Sequence, residues 1–384
     1  MRRTVSTWRT NFAVDHAPQG FHDKKIDSLT TGTANFAKLG AKRSPSSSRK
    51  NDMSATKVVV TGATGHVGNV LVRALLHEGY SVKGASLGNA SSLEGLDVEH
   101  IEADVRDREQ MDRLIRGADV VFHLAAIVGT RHPKPHLLWE TNTTGAANVF
   151  AACLDAGVKR LVHFSSIHAF ESSWTDAPIT EETPLTHSSK APLYSHSKAE
   201  GTRLARQYHA RGLDVVVIHP TGIVGPNDFP VSELTQAIID IHARPPAMSM
   251  GGGFNFVDVR DVVKTALAAL RIGRSGESYL VGGRWASTTE VVSLTRPPGS
   301  SSRVRTIPLS VARRALPVVR LLSTLTKKPA LYTESALEAL STNRFVDDVK
   351  ARRELGHASR PLEETCRDLS AWITERGLWR NTSR

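Results

Sequence analysis

Residues 57–68 read K-V-V-V-T-G-A-T-G-H-V-G. Residues of strand character run straight into three glycines, Gly62, Gly65 and Gly68, and a helical pattern follows over 69–78. In the order strand, turn, helix, such glycines have distinct uses. The first permits a tight turn, because no Cβ blocks unusual backbone angles. The second lets a ligand approach the main chain, and the third lets the helix pack close on the sheet. The helix N-terminus then offers free N–H groups and a partial positive charge to a pyrophosphate. The stretch therefore predicts the opening unit of a dinucleotide-binding fold.

The chain on either side fits that beginning. Residues 80–85 read as a second strand, and Ser86 stands at its end. An acidic residue there binds the adenosine ribose hydroxyls in such folds, and an arginine serves a 2′-phosphate. A serine is neither, but it tolerates the phosphate better than a carboxylate does, so NADP(H) is favoured over NAD(H). Residues 98–103 form a third strand closing in D-V-R-D, where Asp104 is placed to accept from an adenine amino group or to cap the next helix. The apolar run 118–124 reads as a strand buried on both faces. Ala125 and Ala126 after it leave room for a flat ring or a ribose. A helix is expected over 141–156, opened by T-N-T-T-G, with Asn142 in its first turn bridging the backbone to a catalytic water or capping the helix. A strand over 160–164 ends at Ser165-Ser166, a long helix starts at Tyr194, and a strand over 214–219 runs into P-T-G-I-V-G-P.

Strands alternating with helices at this spacing predict an α/β fold, a Rossmann-type doubly wound parallel sheet over residues 56–226. Residues 227–384 are less periodic and read mainly as a smaller substrate-binding region interleaved with that core. Residues 308–325 are apolar but broken by Arg313, Arg314, Pro317 and Arg320, which suggests an amphipathic lid over a hydrophobic substrate. Contact with a membrane surface is the less favoured reading of that segment.

With 384 residues, 40% of them hydrophobic, the chain can bury a large core. Cys153 and Cys366 lie far apart and match no metal spacing, so no metal and no disulfide framework is expected. They favour a reducing compartment, and the cytoplasm is the expected location. No apolar run approaches the ~20 residues of a membrane span. The net charge of +11 is uneven: residues 1–52 hold ten Lys/Arg and four Asp/Glu. The rest shows no basic stripe with interleaved aromatics, so nucleic acid is not an expected partner. Residues 1–55 lack a sustained apolar period and cannot offset the entropy of ordering. Asp15, Asp23 and Asp27 argue against an organellar transit segment. Translation beginning at Met53 is the favoured reading.

Ser166 at a strand end, Tyr194 at a helix start and Lys198 four residues on form a testable constellation. Positions i and i+4 share a helix face. An ordinary tyrosine loses its proton near pH 10, and a nearby ammonium favours the phenolate and lowers that value. The serine hydroxyl can bind a substrate oxygen where charge develops, while the phenol donates or removes a proton.

These segments resemble the extended short-chain dehydrogenase/reductase superfamily, also called the NAD-dependent epimerase/dehydratase family. The matching stretches are T-G-A-T-G-H-V-G (61–68), A-D-V-R-D (103–107), H-L-A-A (123–126), N-T-T-G (142–145), S-S-I (165–167), Y-S-H-S-K (194–198), P-T-G-I-V-G-P (220–226) and F-V-D-V-R-D (256–261). Their order and spacing make the likeness specific, and it runs from Thr56 to about Leu378. It implies Ser166, Tyr194 and Lys198 as catalytic residues with Asn142 in support. It implies cofactor contacts at Gly62, Thr64, Gly65, His66, Val67, Gly68, Asp104, Val105, Leu124, Ala125, Ala126, Pro220 and Ile223, besides Ser86, Tyr194 and Lys198.

The branch is narrower. Nucleotide-sugar dehydratases usually carry Asp-Glu after the active-site hydroxyl residue, and this chain has Ile167-His168. Nucleotide-sugar epimerases usually carry Asn where Gly222 stands. The form P-T-G-I-V-G-P looks more like dihydroflavonol reductases and related carbonyl reductases, and G-E-S-Y-L-V-G-G (276–283) resembles bacterial dihydroflavonol-reductase-like proteins, some labelled hopanoid-associated sugar epimerases. Phe170 stands where many relatives have Tyr, which would change the pocket wall. The first expectation is hydride transfer between NADP(H) and an aldehyde, ketone or secondary alcohol on a mostly apolar carrier. A sugar epimerase or 3β-hydroxysteroid-type dehydrogenase with the same triad is the second, and a non-catalytic NADP(H)-sensing regulator the third. A homodimer could form through helices 141–156 and 194–211.

Overall fold

The computed structural model describes residues 56–129, 134–171, 177–189, 191–243, 246–300, 303–326, 340 and 345–380. The expectations for residues 1–55, including a start at Met53, lie outside them. The first half of the chain largely alternates: β1 (Lys57–Thr61), α1 (His66–His77), β2 (Ser81–Ser86), β3 (Glu99–Glu102), α2 (Arg108–Ile115), β4 (Val120–His123), α3 (Pro135–Asn142), α4 (Thr144–Asp155), β5 (Arg160–Phe164), α5 (Leu193–Ala210) and β6 (Val215–Pro220). The second half is shorter-stepped: β7 (Gly222–Val224), α6 (Glu233–Ala243), β8 (Met248–Met250), β9 (Gly253–Asp258), α7 (Val259–Ile272), β10 (Ser278–Val281), β11 (Arg284–Ser287), α8 (Thr288–Leu294), β12 (Arg305–Ile307), α9 (Leu309–Thr326), α10 (Val349–Leu355) and α11 (Leu362–Glu375).

Seven strands form one parallel sheet in the order β10-β6-β5-β4-β1-β2-β3. Its central strands are β-branched and buried on both faces, as Val58, Val60, Val121, Val162 and Val216 show. On one face α1 and α7 bury Leu71, Leu75, Val262 and Ala266. On the other, α2, α4 and α5 bury Met111, Ile115, Phe150 and Ala205. This is a Rossmann-like α/β fold. The strand order reverses between β1 and β4, and a crevice opens there at the strands' carboxyl ends. Residue 226 divides the sequence but not the sheet, because β10 joins β6 with Tyr279 opposite Ile218.

Two turns differ from expectation. The helix expected over 141–156 is two helices: α3 ends at Asn142, Thr143 interrupts the helix at φ −112° and ψ −63°, and α4 starts at Thr144. The side chain of Asn142 is occupied with another segment, and Thr143 Oγ1 donates back to the Trp139 carbonyl (2.7 Å). Asp104 does not cap α2. That role falls to Asp107, whose carboxylate accepts from the Gln110 N–H (3.0 Å).

The glycine turn has the geometry its composition calls for. Gly62 sits at φ +72°, and a Cβ on Gly68 would lie 2.1 Å from the Gly62 carbonyl oxygen. Apolar packing seats α7 on the sheet, and charge ties the rest of the second half to α7. Asp258, 3% exposed, caps α7 by accepting from the Arg260 N–H (2.7 Å). The Arg260 guanidinium binds Asp258 (2.7 Å) and Asp368 of α11 (2.7 Å), while Arg360 binds Asp261 (2.8 Å). Burial works to raise the Asp258 carboxyl, but the Arg260 hydrogen bonds prevail and leave it below the usual carboxylate range. In α9, Ala312 and Leu316 pack on Met250, which gives the segment an inner apolar side.

Asp258→Ala removes a cap and one of the two carboxylates that hold Arg260. It is expected to lower stability by about 1–3 kcal/mol in urea unfolding. A loss below about 1 kcal/mol would mean that the network holds nothing together.

Candidate active site

The candidate site gathers at the ends of strands of the central sheet, with residues from α1, α3 and α5 beside them. At β1, the Thr61 hydroxyl hydrogen-bonds His123 Nδ1 of β4 (2.8 Å) and accepts from the Ala125 N–H (3.3 Å). A Cβ on Gly62 would fall 2.7 Å from the Ala125 nitrogen, so the turn and the segment after β4 lie in direct contact. Gly65 precedes α1 with extended backbone, no side chain caps the helix, and its first turn carries no acid. The first N–H groups of α1 therefore face the crevice without a side-chain acceptor, which suits a diphosphate. Leu124, Ala125 and Ala126 are half-buried along the same crevice. These features fit a dinucleotide.

The side chains of the expected cofactor residues are not all turned to it. His66 Nε2 hydrogen-bonds the Pro226 carbonyl (3.1 Å), so its ring ties α1 to the segment after β7 and only its main chain remains for a ligand. Val105 is buried, and a Cβ on Gly145 would meet its side chain at 2.6 Å. Asp104 is paired with Arg106 (2.5 Å), whose hydrogen bonds hold the carboxyl below its usual range. Ser86 hydrogen-bonds His100 Nε2 (2.8 Å) at the end of β2. The loop that follows is tied back to the glycine turn through Ser92, whose hydroxyl donates to the Thr64 carbonyl (3.1 Å). Val67 and Ile223 pack against the core beside α1, and Pro220 ends β6. The sequence did not single out Asn69. Its amide donates to the carbonyls of Gly65 (2.8 Å), His66 (3.0 Å) and Asn227 (2.9 Å) and so fixes the first turn of α1.

Ser166, Tyr194 and Lys198 come together at β5 and α5. Ser166 opens a short 3-10 turn (Ile167–Ala169), and its oxygen accepts from the His168 N–H (3.2 Å). With that lone pair engaged, the hydroxyl proton is left to donate outward. Burial pushes the half-buried Tyr194 phenol up to about 12, and a hydrogen bond with Ser166 works against that rise. The expected lowering by the lysine ammonium is therefore not what this structure has. Lys198 is buried, and its Nζ donates to the Phe164 carbonyl (3.1 Å). Burial brings it down to about 8.

Asn142 is a clamp. Its Oδ1 accepts from the Ile127 N–H (2.8 Å), and its Nδ2 donates to the Ile127 carbonyl (3.0 Å) and the Ser197 hydroxyl (3.0 Å). Ser197 in turn donates to the Tyr194 carbonyl (2.8 Å). The segment after β4 and the first turn of α5 are thus joined through one buried amide. Phe170 is buried with its ring 4.7 Å from that of His219, so it supports the pocket from behind rather than lining it.

Comparison with known proteins agrees with this geometry. The NAD dependent epimerase/dehydratase family matches residues 58–282. The chain is 31% identical over 337 residues to sterol demethylase protein B of Methylococcus capsulatus, covering 83% of this chain and 99% of that one. It is 27% identical over 342 residues to a 2-alkyl-3-oxoalkanoate reductase of Stenotrophomonas maltophilia, covering 82% and 98%. The crystal structure of gox2253 superposes with a TM-score of 0.72 at 26% identity, over 84% of this chain and 99% of that one. The protein is a member of the NAD dependent epimerase/dehydratase family, and with it an enzyme that works through a nicotinamide cofactor.

Proposed function

We propose that the protein is an NADPH-dependent reductase of a ketone or aldehyde carried on a mostly apolar body. The observation that carries this reading is the pairing of Ser166 and Tyr194 at the end of β5, with the phenol pushed up to about 12. Such a phenol stays protonated throughout the physiological range, so it is present in the acid form that reduction of a carbonyl consumes. Bound NADPH supplies the hydride. The Ser166 hydroxyl donates to the carbonyl oxygen and holds it where negative charge grows. Tyr194 delivers the proton to that oxygen. Lys198, one helical turn along α5, carries a positive charge below pH 8 and favours the phenolate that remains. Asn142 acts indirectly by keeping α5 in register with the crevice.

The absence of Asp-Glu after Ser166 withholds the acid–base pair of sugar dehydratases, and a relative is named as reducing a 3-oxo group. The preference for NADP(H) rests on Ser86, which puts no negative charge at the end of β2. Among the described residues of the site, none favours the alternatives, a sugar epimerase or 3β-hydroxysteroid-type dehydrogenase and a silent sensor, over reduction.

Tyr194→Phe is expected to lower kcat for carbonyl reduction by about 10²–10⁴ while leaving the Kd for NADPH within a few-fold. A variant keeping more than about a tenth of the rate would remove the phenol from the mechanism. Reduction is expected to hold steady at lower pH and to fall as pH rises through about 8, where Lys198 loses its proton. A rate that climbs across that interval would oppose the assignment. Ser86→Asp is expected to turn the preference from NADPH to NADH when Kd is measured by nicotinamide fluorescence. Equal weakening of both cofactors would show that Ser86 does not read the 2′-phosphate.

A further inference from the structure

The second half of the chain holds a charge bias that the site does not use. Residues 291–333 contain six Arg, two Lys and no Asp or Glu. With 38 acids in 384 residues the chain is not short of carboxylates, so their exclusion here is local. The described part of this stretch folds into one small unit. β12 pairs in parallel with β8, apart from the seven-stranded sheet, and α9 follows β12 through Pro308. The Gly251 N–H donates to the Ile307 carbonyl (2.7 Å), and Thr306 hydrogen-bonds Thr289 of α8 (3.0 Å). Met250, Ala312 and Leu316 bury one another, with Ile307 and Leu309 beside them.

That inward packing decides what faces out. Ala312 and Leu316 share one face of α9, and the residues between them turn the other way. Arg303, Arg305, Arg313 and Arg314 are exposed. Two large apolar side chains stand in water with them, Met248 at 47% and Val311 at 52%. Met248 is the ladder partner of Arg305, so the two rise side by side from one face of the pair. Exposed apolar tips ringed by guanidinium groups, with no carboxylate in the stretch, fit a phase that is anionic outside and apolar within. Nucleic acid fits less well. Residues 291–331 contain no Phe, Tyr or Trp on which a base could stack, and Met248 and Val311 gain nothing from phosphates. Among the described residues no helix is long and apolar enough to cross a membrane, so the contact is with its surface.

We propose that β8, β12 and the first half of α9 dock on the surface of an anionic phospholipid bilayer. The arginines lie at the headgroup phosphates, and Met248 and Val311 enter the boundary between headgroups and acyl chains. Periodicity alone makes membrane contact the second reading of residues 308–325, and the exposed basic side of α9 is what brings it forward. The proposal does not depend on the reductase reading. It adds that the enzyme works where an apolar compound dissolves.

The test sediments the full chain with vesicles of phosphatidylcholine alone or with about a third phosphatidylglycerol. Each basic residue near an anionic surface is worth about five-fold in binding, and salt screens the attraction. Binding to the anionic vesicles is expected to be at least about ten-fold stronger at about 0.1 M salt, and to be mostly lost at about 0.5 M. The triple variant Arg303→Glu, Arg305→Glu, Arg314→Glu is expected to bind about 100-fold more weakly, with Tm and the Kd for NADPH unchanged. Residues 1–52 are also basic and remain intact in it, so vesicle binding that survives the triple change overturns the proposal. Val311→Cys carrying an NBD dye reads insertion directly, since Cys153 and Cys366 are buried. Its emission is expected to rise and shift to the blue on anionic vesicles, and unchanged emission overturns the proposal. If the triple variant fails to fold, the lipid comparison and the dye decide the matter. Equal binding to neutral vesicles, or binding to a DNA duplex and to no vesicle, also overturns it. Tyr194→Phe is expected to bind vesicles as the wild type does, so loss of turnover and loss of docking are read separately.

Discussion

A Cβ on Gly68 would lie 2.1 Å from the Gly62 carbonyl oxygen, and the space kept free there sets the position of α1 against the sheet. With α1 this close, its uncapped N-terminus faces the crevice between β1 and β4. That placement puts the dipole of α1 and its unpaired N–H groups where a diphosphate lies. The same closeness draws Gly62 onto Ala125, which shapes the wall after β4. Asn69 adds to it by holding the first turn of α1 through three carbonyls from two segments. The glycine spacing is therefore a packing requirement first and a binding feature second.

The floor of the site is polar but nearly uncharged. His123, His163 and His219 stand on three adjacent strands, all buried. Burial holds His123 and His219 down to about 3 and His163 well below its ordinary value, and the ammonium of Lys198 pushes in the same direction. A cation beside imidazoles that stay neutral meets little opposing charge on that side. The His123 and His163 rings stack at 5.3 Å, which lets β4 and β5 close up beneath the lysine. The site thus holds one buried ammonium and one buried phenol on the same helix, each shifted chiefly by burial.

Much of this was legible in the residues. The strand–glycine–helix opening, the alternating segments up to residue 226 and the family likeness all appear in the architecture and in the family match. The spacing of Tyr194 and Lys198 located them on one helix, and Ser166 was recognisable at a strand end. What the spacing did not carry is the direction of each side chain. His66 turned to Pro226, Asp104 to Arg106 and Asn142 to Ile127, because each found a partner distant in sequence or already committed by a turn. The phenol of Tyr194 moved opposite to expectation because burial outweighs a lysine whose ammonium is spent on the Phe164 carbonyl. His168 stands where the sugar dehydratases carry an acid, and only the fold brings its ring against that of Tyr194.

The sequence by itself determined the doubly wound sheet, the place of the crevice and the family, since all three depend on local periodicity and on glycines that tolerate no substitute. Only the tertiary structure decided which groups in the crevice are free to act. Hydrogen-bond partners and burial are long-range properties, set when segments as far apart as Asn142 and Ser197, or Asp258 and Arg360, arrive at one point.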